Sequence, residues 1–261
     1  SSGYWHSSFA MPRQIEPKLA ANWRAEGWPL DFKAPTGGRT MACRSTDGGR
    51  TWSKPRGLKS PGDFYERGHG GRPVLLSDGS ILWATYYQVR GRKFLSGAIR
   101  RSTDNGLTWP VISRIVRKEN AIDEPAIAEL KDGRVVLVTR PDGAVFHSAD
   151  KGRTWKDSGT RIVDSGKFKA PQLAVLGDGT LVAFATWRNL RAWISRDGGK
   201  TWTKNLPLDT GSYGYPGSYI LEKDDSILFP YCASGRAPNA LYLLRFRVNA
   251  KRDGVELLPV V

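Results

Sequence analysis

The sequence predicts an all-β protein, a β-propeller of four-stranded antiparallel blades, on three observations. The pattern Ser-x-Asp-x-Gly-x-Thr-Trp occurs four times, beginning at Ser45, Ser102, Ser148 and Ser195. Its aspartates, Asp47, Asp104, Asp150 and Asp197, are 57, 46 and 47 residues apart, a period that belongs to propeller blades or other repeat arrays. Strand–turn–strand segments precede three of these motifs, so each complete unit holds two hairpins, the meander of one blade.

The motif itself reads as a turn. Its aspartate can accept backbone N–H groups inside the loop, glycine supplies positive φ, and the tryptophan covers a neighbouring core. Taking the chain in order, Ser8 to Met11 and Thr40 to Arg44 are expected as the second and third strands of an incomplete first blade. A long loop, Pro12 to Gly38, runs between them and carries Trp23, Glu26, Trp28 and Asp31. Loops of that length without their own structure are uncommon unless they serve a function or are disordered. The next hairpins read RPVLLSDGSILWATYY from Arg72, EPAIAELKDGRVVLVTR from Glu124 and APQLAVLGDGTLVAFATW from Ala170. A last one, YPGSYILEKDDSILFPYC from Tyr215, has no motif after it. Four blades and one partial N-terminal blade are expected, in a single domain over residues 1–261. Either the ring has five blades, or it lacks an N-terminal blade or strand.

The stretch from Asp123 to Trp155 organises the rest. Apolar residues flank Lys131-Asp132-Gly133, and Asp-Gly between apolar runs is a strong hairpin signal. Glu124 lies eight residues before Asp132 and Arg140 eight after it, so the two should meet at the open end of the hairpin. Following strand direction, Glu124, Lys169, Ala170 and Tyr215, with His69 and Gly70, are expected around one mouth of the central channel. Arg140, Arg188 and Tyr87 follow just behind them.

The bulk numbers bound the partners. The 261 residues carry 40 Lys and Arg against 25 Asp and Glu, a net charge of +15, which favours anionic ligands or a solvated basic surface. Nucleic acid is not expected, because no zinc spacing, RNP-like aromatic motif or basic helix is present. No apolar run approaches membrane-spanning length. Cys43 and Cys232 are too few for a disulfide framework and read as buried thiols.

The four motifs are Asp boxes, or BNR repeats. With the Glu-Pro-x-x-x-Glu-Leu-x-Asp-Gly…Arg segment they make the chain resemble the sialidase (neuraminidase) superfamily, over roughly Arg39 to Val248. The resemblance implies a six-bladed propeller and exo-hydrolysis of terminal sialic acids on a glycan partner, with no cofactor. It also implies a secreted or periplasmic setting. Carried over, Glu124 corresponds to the glutamate that partners a tyrosine nucleophile, and Tyr215 to that nucleophile, with Tyr213 as the alternative. Arg140 and Arg188 correspond to the second and third arginines that clamp the substrate carboxylate. Asp31 is the positional candidate for the acid. The family's first arginine, in an Arg-Ile-Pro segment, has no counterpart here, and two boxes rather than three precede the glutamate.

The chemistry suits that set. A sialoside carries a carboxylate on the carbon under attack, so a tyrosine activated by a glutamate is a better nucleophile than a carboxylate. Arginines bind a carboxylate through two N–H groups, and an aspartic acid can protonate the leaving group. His69, in a glycine-rich setting, is placed to touch substrate or exchange a proton, and Trp23 and Trp28 to stack on a sugar. Each residue also has a plainer reading: Glu124 and Arg140 as a cross-strand ion pair, Tyr215 and the tryptophans as packing, Asp31 as a solvated loop residue. Related propellers leave two other functions open, hydrolysis of another sugar or a uronate-directed lyase using His69, Tyr87 and Arg140. Carbohydrate binding without catalysis is a third.

Overall fold

The computed structural model describes residues 5–7, 40–59, 61, 65–67, 71–163, 168–187, 189–209, 216–232 and 241–260. These residues contain strands and turns and no helix, and no helix long and apolar enough to cross a membrane is present among them.

Five antiparallel sheets follow one another along the chain. The first contains β1 (Trp5–Ser7), β2 (Met41–Ser45) and β3 (Arg56–Gly57). In the second, an inner strand in two pieces, β4 (Tyr65–Arg67) and β5 (Val74–Leu75), pairs with β6 (Ile81–Gln88), followed by β7 (Ser96–Ser102) and β8 (Val111–Ile115). The third is β9 (Asp123–Glu129), β10 (Val135–Arg140), β11 (Ala144–Ser148) and β12 (Lys156–Arg161). The fourth is β13 (Lys169–Val175), β14 (Leu181–Trp187), β15 (Asn189–Ser195) and β16 (Leu206–Asp209). The fifth is β17 (Ile220–Leu221), β18 (Ile227–Cys232), β19 (Leu241–Val248) and β20 (Val255–Leu258). The partial first blade is present, but its β1 lies at Trp5–Ser7 and pairs with Ser45 to Cys43. The expected strand at Ser8 to Met11 falls outside the described residues.

The cores lie between consecutive sheets, as in a propeller. Side-chain alternation divides single strands between two of them. Val135 and Leu137 of β10 pack with Leu82, Ile99 and Ile115 of the second sheet, whereas Val136 and Val138 pack with Leu173, Leu181 and Trp193 of the fourth. On β14, Leu181 and Ala183 face the third sheet, while Val182 and Phe184 face Phe229 and Phe246 of the fifth. Such strands, buried on both faces, read as nearly continuous apolar runs. A smaller cluster of Ala42, Ile81, Trp83 and Trp109 joins the first and second sheets, with the two indoles edge to face at 5.6 Å.

Inner strands from separated sheets converge on one axis. The Arg72 guanidinium lies 3.9 Å from the Tyr219 ring centroid and donates to the Tyr219 hydroxyl at 3.0 Å. That hydroxyl donates to the Leu173 carbonyl at 2.7 Å, so chain from the second, fourth and fifth sheets meets there. Burial pushes the Tyr219 phenol up against the opposing pull of Arg72.

All four Asp boxes form the same turn. In the third, Ser148 Oγ donates to Asp150 Oδ1 at 2.7 Å, the Gly152 N–H donates to Ser148 Oγ at 2.8 Å, and Thr154 reaches Asp150 through its N–H at 2.8 Å and its hydroxyl at 2.6 Å. Trp155 Nε1 closes the loop on the Gly152 carbonyl at 3.1 Å. Gly152 has φ 86° and sits against Leu82, where a Cβ would come within 2.9 Å of a methyl carbon, so this turn seats itself in the preceding sheet. Trp109, Trp155 and Trp202 all pack on the core shared with the preceding sheet.

The boxes give the fold an acid-labile component. The Thr51 hydroxyl and amide hold the Asp47 carboxyl at about 2. For Asp104, Asp150 and Asp197 burial pushes upward, but the Thr and Ser hydrogen bonds outweigh it and leave each at about 2. A folded pKa below the unfolded value of 3.8 contributes stability that is fully present above about pH 4 and is lost as pH falls through about 2. The thermal midpoint is therefore expected to drop between about pH 4 and pH 2. Asp150→Asn should lower the midpoint at neutral pH and flatten that slope. An unchanged slope in the variant would show that the third box does not carry the acid sensitivity.

Candidate functional site

The β9–β10 hairpin turns at Asp132-Gly133, with Gly133 at φ 83° and Leu130 N–H donating to the Arg134 carbonyl at 2.8 Å. Its ladder runs in register from Glu129 opposite Val135 to Ala126 opposite Val138, then slips, so that Arg140 pairs with Asp123. Counting alone puts Glu124 opposite Arg140. The slip arises at Glu124 itself, whose φ is 46°. A non-glycine residue in that region costs on the order of 1–3 kcal/mol and persists where its surroundings hold it. Bulges of this kind re-aim a side chain out of the ladder.

The re-aimed carboxylate bridges two sheets. Glu124 Oε1 accepts from Arg140 Nη1 at 3.1 Å, and Oε2 accepts from the Ala170 N–H of β13 at 2.7 Å. Ala170, the corresponding residue of the fourth sheet, is likewise at φ 45°. Arg140 Nε lies 3.6 Å from Asp123 Oδ2. Thr139 fixes the strand end: its hydroxyl accepts the Asp123 N–H at 2.9 Å and lies 2.8 Å from the Asp123 carbonyl. Glu124 is 2% exposed and the Arg140 side chain 29%. The glutamate is thus a buried anchor, and the guanidinium it orients is the part that reaches solvent. The pair can present a fixed cation to an anionic group.

Of the residues expected from sequence, Glu124 and Arg140 are brought together. Tyr87 is placed apart from them. It is 3% exposed and lies opposite Glu66, on the side of β6 that Ile81 and Trp83 turn towards the first sheet. Tyr215, Arg188, Asp31 and His69 lie outside the described residues, as does Tyr213. Cys43 is buried, and the Cys232 side chain is outside the described set. Among the described residues, no group of three or more His, Cys, Asp and Glu is placed to hold a metal.

Ala170 is at the mouth where the sequence places it beside Glu124, but two contacts there go beyond the sequence reading. Asp123 shares Arg140 with Glu124, and its signal was the Asp-Glu dipeptide at the strand start. The Ala170 amide is a partner from 46 residues away and leaves no local trace.

Comparison with known proteins places this geometry in context. The model for the BNR repeat-like domain matches residues 22–228. No curated protein matches the chain. Among solved structures, a Hadza microbial sialidase is similar with a TM-score of 0.63 and 24% identity, over 77% of this chain and 44% of that one. The NanB sialidase of Streptococcus pneumoniae is similar with a TM-score of 0.62 and 14% identity, over 88% of this chain and 56% of that one. The α-L-arabinanase of Penicillium chrysogenum follows with a TM-score of 0.56 and 17% identity, over 74% and 67% of the two chains. This chain therefore spans about half the length of the two sialidases it matches.

Proposed function

The chain belongs to the BNR repeat-like domain family, and from that premise we propose that it is a glycoside hydrolase that removes a terminal acidic sugar from a glycan with retention of configuration. The observation that carries the reading is the Glu124–Arg140 pair at the strained start of an inner strand, a buried carboxylate holding a solvent-reaching guanidinium. An ion pair serving only as a cross-strand contact does not need the second hold on Ala170.

In this reading Arg140, with Arg188, binds the substrate carboxylate. Tyr215 is the nucleophile, Glu124 the base that activates it, and Asp31 the acid that protonates the leaving oxygen. His69 is assigned in the same reading as a further substrate contact. The likeness to sialidases supports an acidic substrate. The likeness to an arabinanase supports the second reading, a neutral furanoside in the same site, where Arg140 would meet hydroxyl groups. The buried position of Tyr87 counts against a lyase that uses it as a base.

A panel of fluorogenic glycosides separates these readings. Turnover of a sialoside, abolished in Tyr215→Phe, is the expected result. Cleavage of an arabinofuranoside with none of the sialoside would move the assignment to the second reading. Release of an unsaturated uronate from polygalacturonate would replace hydrolysis by elimination.

A further inference from the structure

On the outer wall between the second and third sheets, a groove of about 630 Å³ runs from the third Asp box to the segment after β8. Arg114, Arg117, Lys118, Arg153, Trp155 and Arg161 line it. It lies along β8 and β12, away from the inner strands that carry Glu124, so it is a different place from the proposed active site.

Two of its arginines are built in. Arg117 holds Asp142 through two hydrogen bonds, at 2.9 and 2.7 Å, and Arg161 holds Asp157 through two at 2.9 Å. These contacts fix the guanidinium planes. Arg114, Lys118 and Arg153 are exposed on either side. Five cations face three carboxylates, Glu119, Asp142 and Asp157, so the groove is net positive while keeping anionic acceptors within it. Trp155 forms one rigid edge, its Nε1 held by the Gly152 carbonyl at 3.1 Å and Ser113 Oγ at 3.2 Å.

That mixture selects among polyanions. A nucleic-acid strand offers phosphates and bases and would want exposed aromatic platforms, whereas the aromatics of this groove, Phe146 and Trp155, are buried and half-buried. An acidic sugar chain offers carboxylates to the arginines and hydroxyl donors to the acceptors. We propose that this groove is a second, non-catalytic site that binds an acidic polysaccharide, its sugar carboxylates on the arginines and its hydroxyls on Glu119 and Asp157. The inference rests on the proposed function only in taking a glycan as the ligand class.

The test is direct binding of polygalacturonate to the full chain by calorimetry, with neutral dextran and single-stranded DNA as comparisons. The double variant Arg114→Glu, Lys118→Glu should bind polygalacturonate roughly tenfold more weakly. Arg153→Ala on the opposite wall should weaken it by a smaller factor, and wild-type binding should fall with added salt. Turnover of a small fluorogenic glycoside should be unchanged in all three proteins. Equal affinity in the double variant, or binding no tighter than dextran, overturns the proposal. DNA binding as tight and equally weakened makes the groove a nucleic-acid site instead. If polygalacturonate binding is lost in the variant while the wild-type protein cleaves no glycoside, the groove stands and the hydrolase reading falls.

Discussion

Glu124→Gln is expected to lower kcat/KM for the cleaved glycoside by about 10²–10⁴-fold, the range carried by a positioned acid or base. The glutamine can still accept the Ala170 N–H, now 2.7 Å from Oε2, but it presents an amide in place of the oxygen that Arg140 reaches at 3.1 Å. The variant therefore loses both the base and the hold on the guanidinium while keeping the seam between the third and fourth sheets. Arg140→Lys keeps the charge but not the planar fork, and its loss should appear mainly in KM. Steady-state kinetics with the thermal midpoint measured alongside separates the two roles. If Glu124→Gln lowers the midpoint and leaves kcat/KM intact, the pair is structural and the active site lies elsewhere.

The largest stability effect is expected at Arg100, which sequence patterning did not single out. Arg100 is 2% exposed and Glu66 1%. The guanidinium donates to Glu66 through Nε at 2.8 Å and Nη2 at 2.6 Å, to the Trp109 carbonyl at 2.7 Å and to the Lys59 carbonyl at 2.6 Å. Thr85 Oγ1 donates to the same carboxylate at 2.6 Å. Arg100→Leu leaves a buried carboxylate without its cation, and such losses cost about 3–5 kcal/mol. The urea midpoint should fall accordingly at an unchanged slope. Removing both partners, in Glu66→Gln with Arg100→Leu, should recover much of the loss, because the uncompensated charge is what is expensive. A single variant as stable as wild type would mean that the carboxylate finds water or another cation when Arg100 is gone.

What could be read from the sequence was local. The Asp boxes write themselves into seven or eight consecutive residues, because the aspartate's partners are the amide and hydroxyl of the threonine four positions on. The Glu124–Arg140 contact was legible from equal counts about Asp132, since a tight turn fixes register. The bulge was not, because nothing in the dipeptide Asp123-Glu124 announces a positive φ. The pattern from Arg72 predicts one continuous inner strand, whereas the structure pairs only Val74 and Leu75 there and supplies a second piece at Tyr65–Arg67. Likewise, the first strand of the last hairpin is reduced to Ile220–Leu221, with an isolated bridge from Pro216 to Tyr231. Glu66 and Arg100 escaped notice because a buried ion pair leaves no periodic signal. Each of its residues looks like an ordinary surface charge until the chain between them is folded.

The Arg72–Tyr219 contact has a consequence for biosynthesis. Its partners are 147 residues apart in the chain. On a ribosome adding about 5–20 residues per second, the arginine would emerge and wait roughly 7–30 s for its aromatic partner. By then the third and fourth sheets, which end at Asp209, have already emerged. The hub therefore closes only as the fifth sheet begins to form, and a nascent chain that stalls before Tyr219 leaves Val182 and Phe184 of the fourth sheet without the Phe229 and Phe246 that cover them, apolar surface that a chaperone can bind.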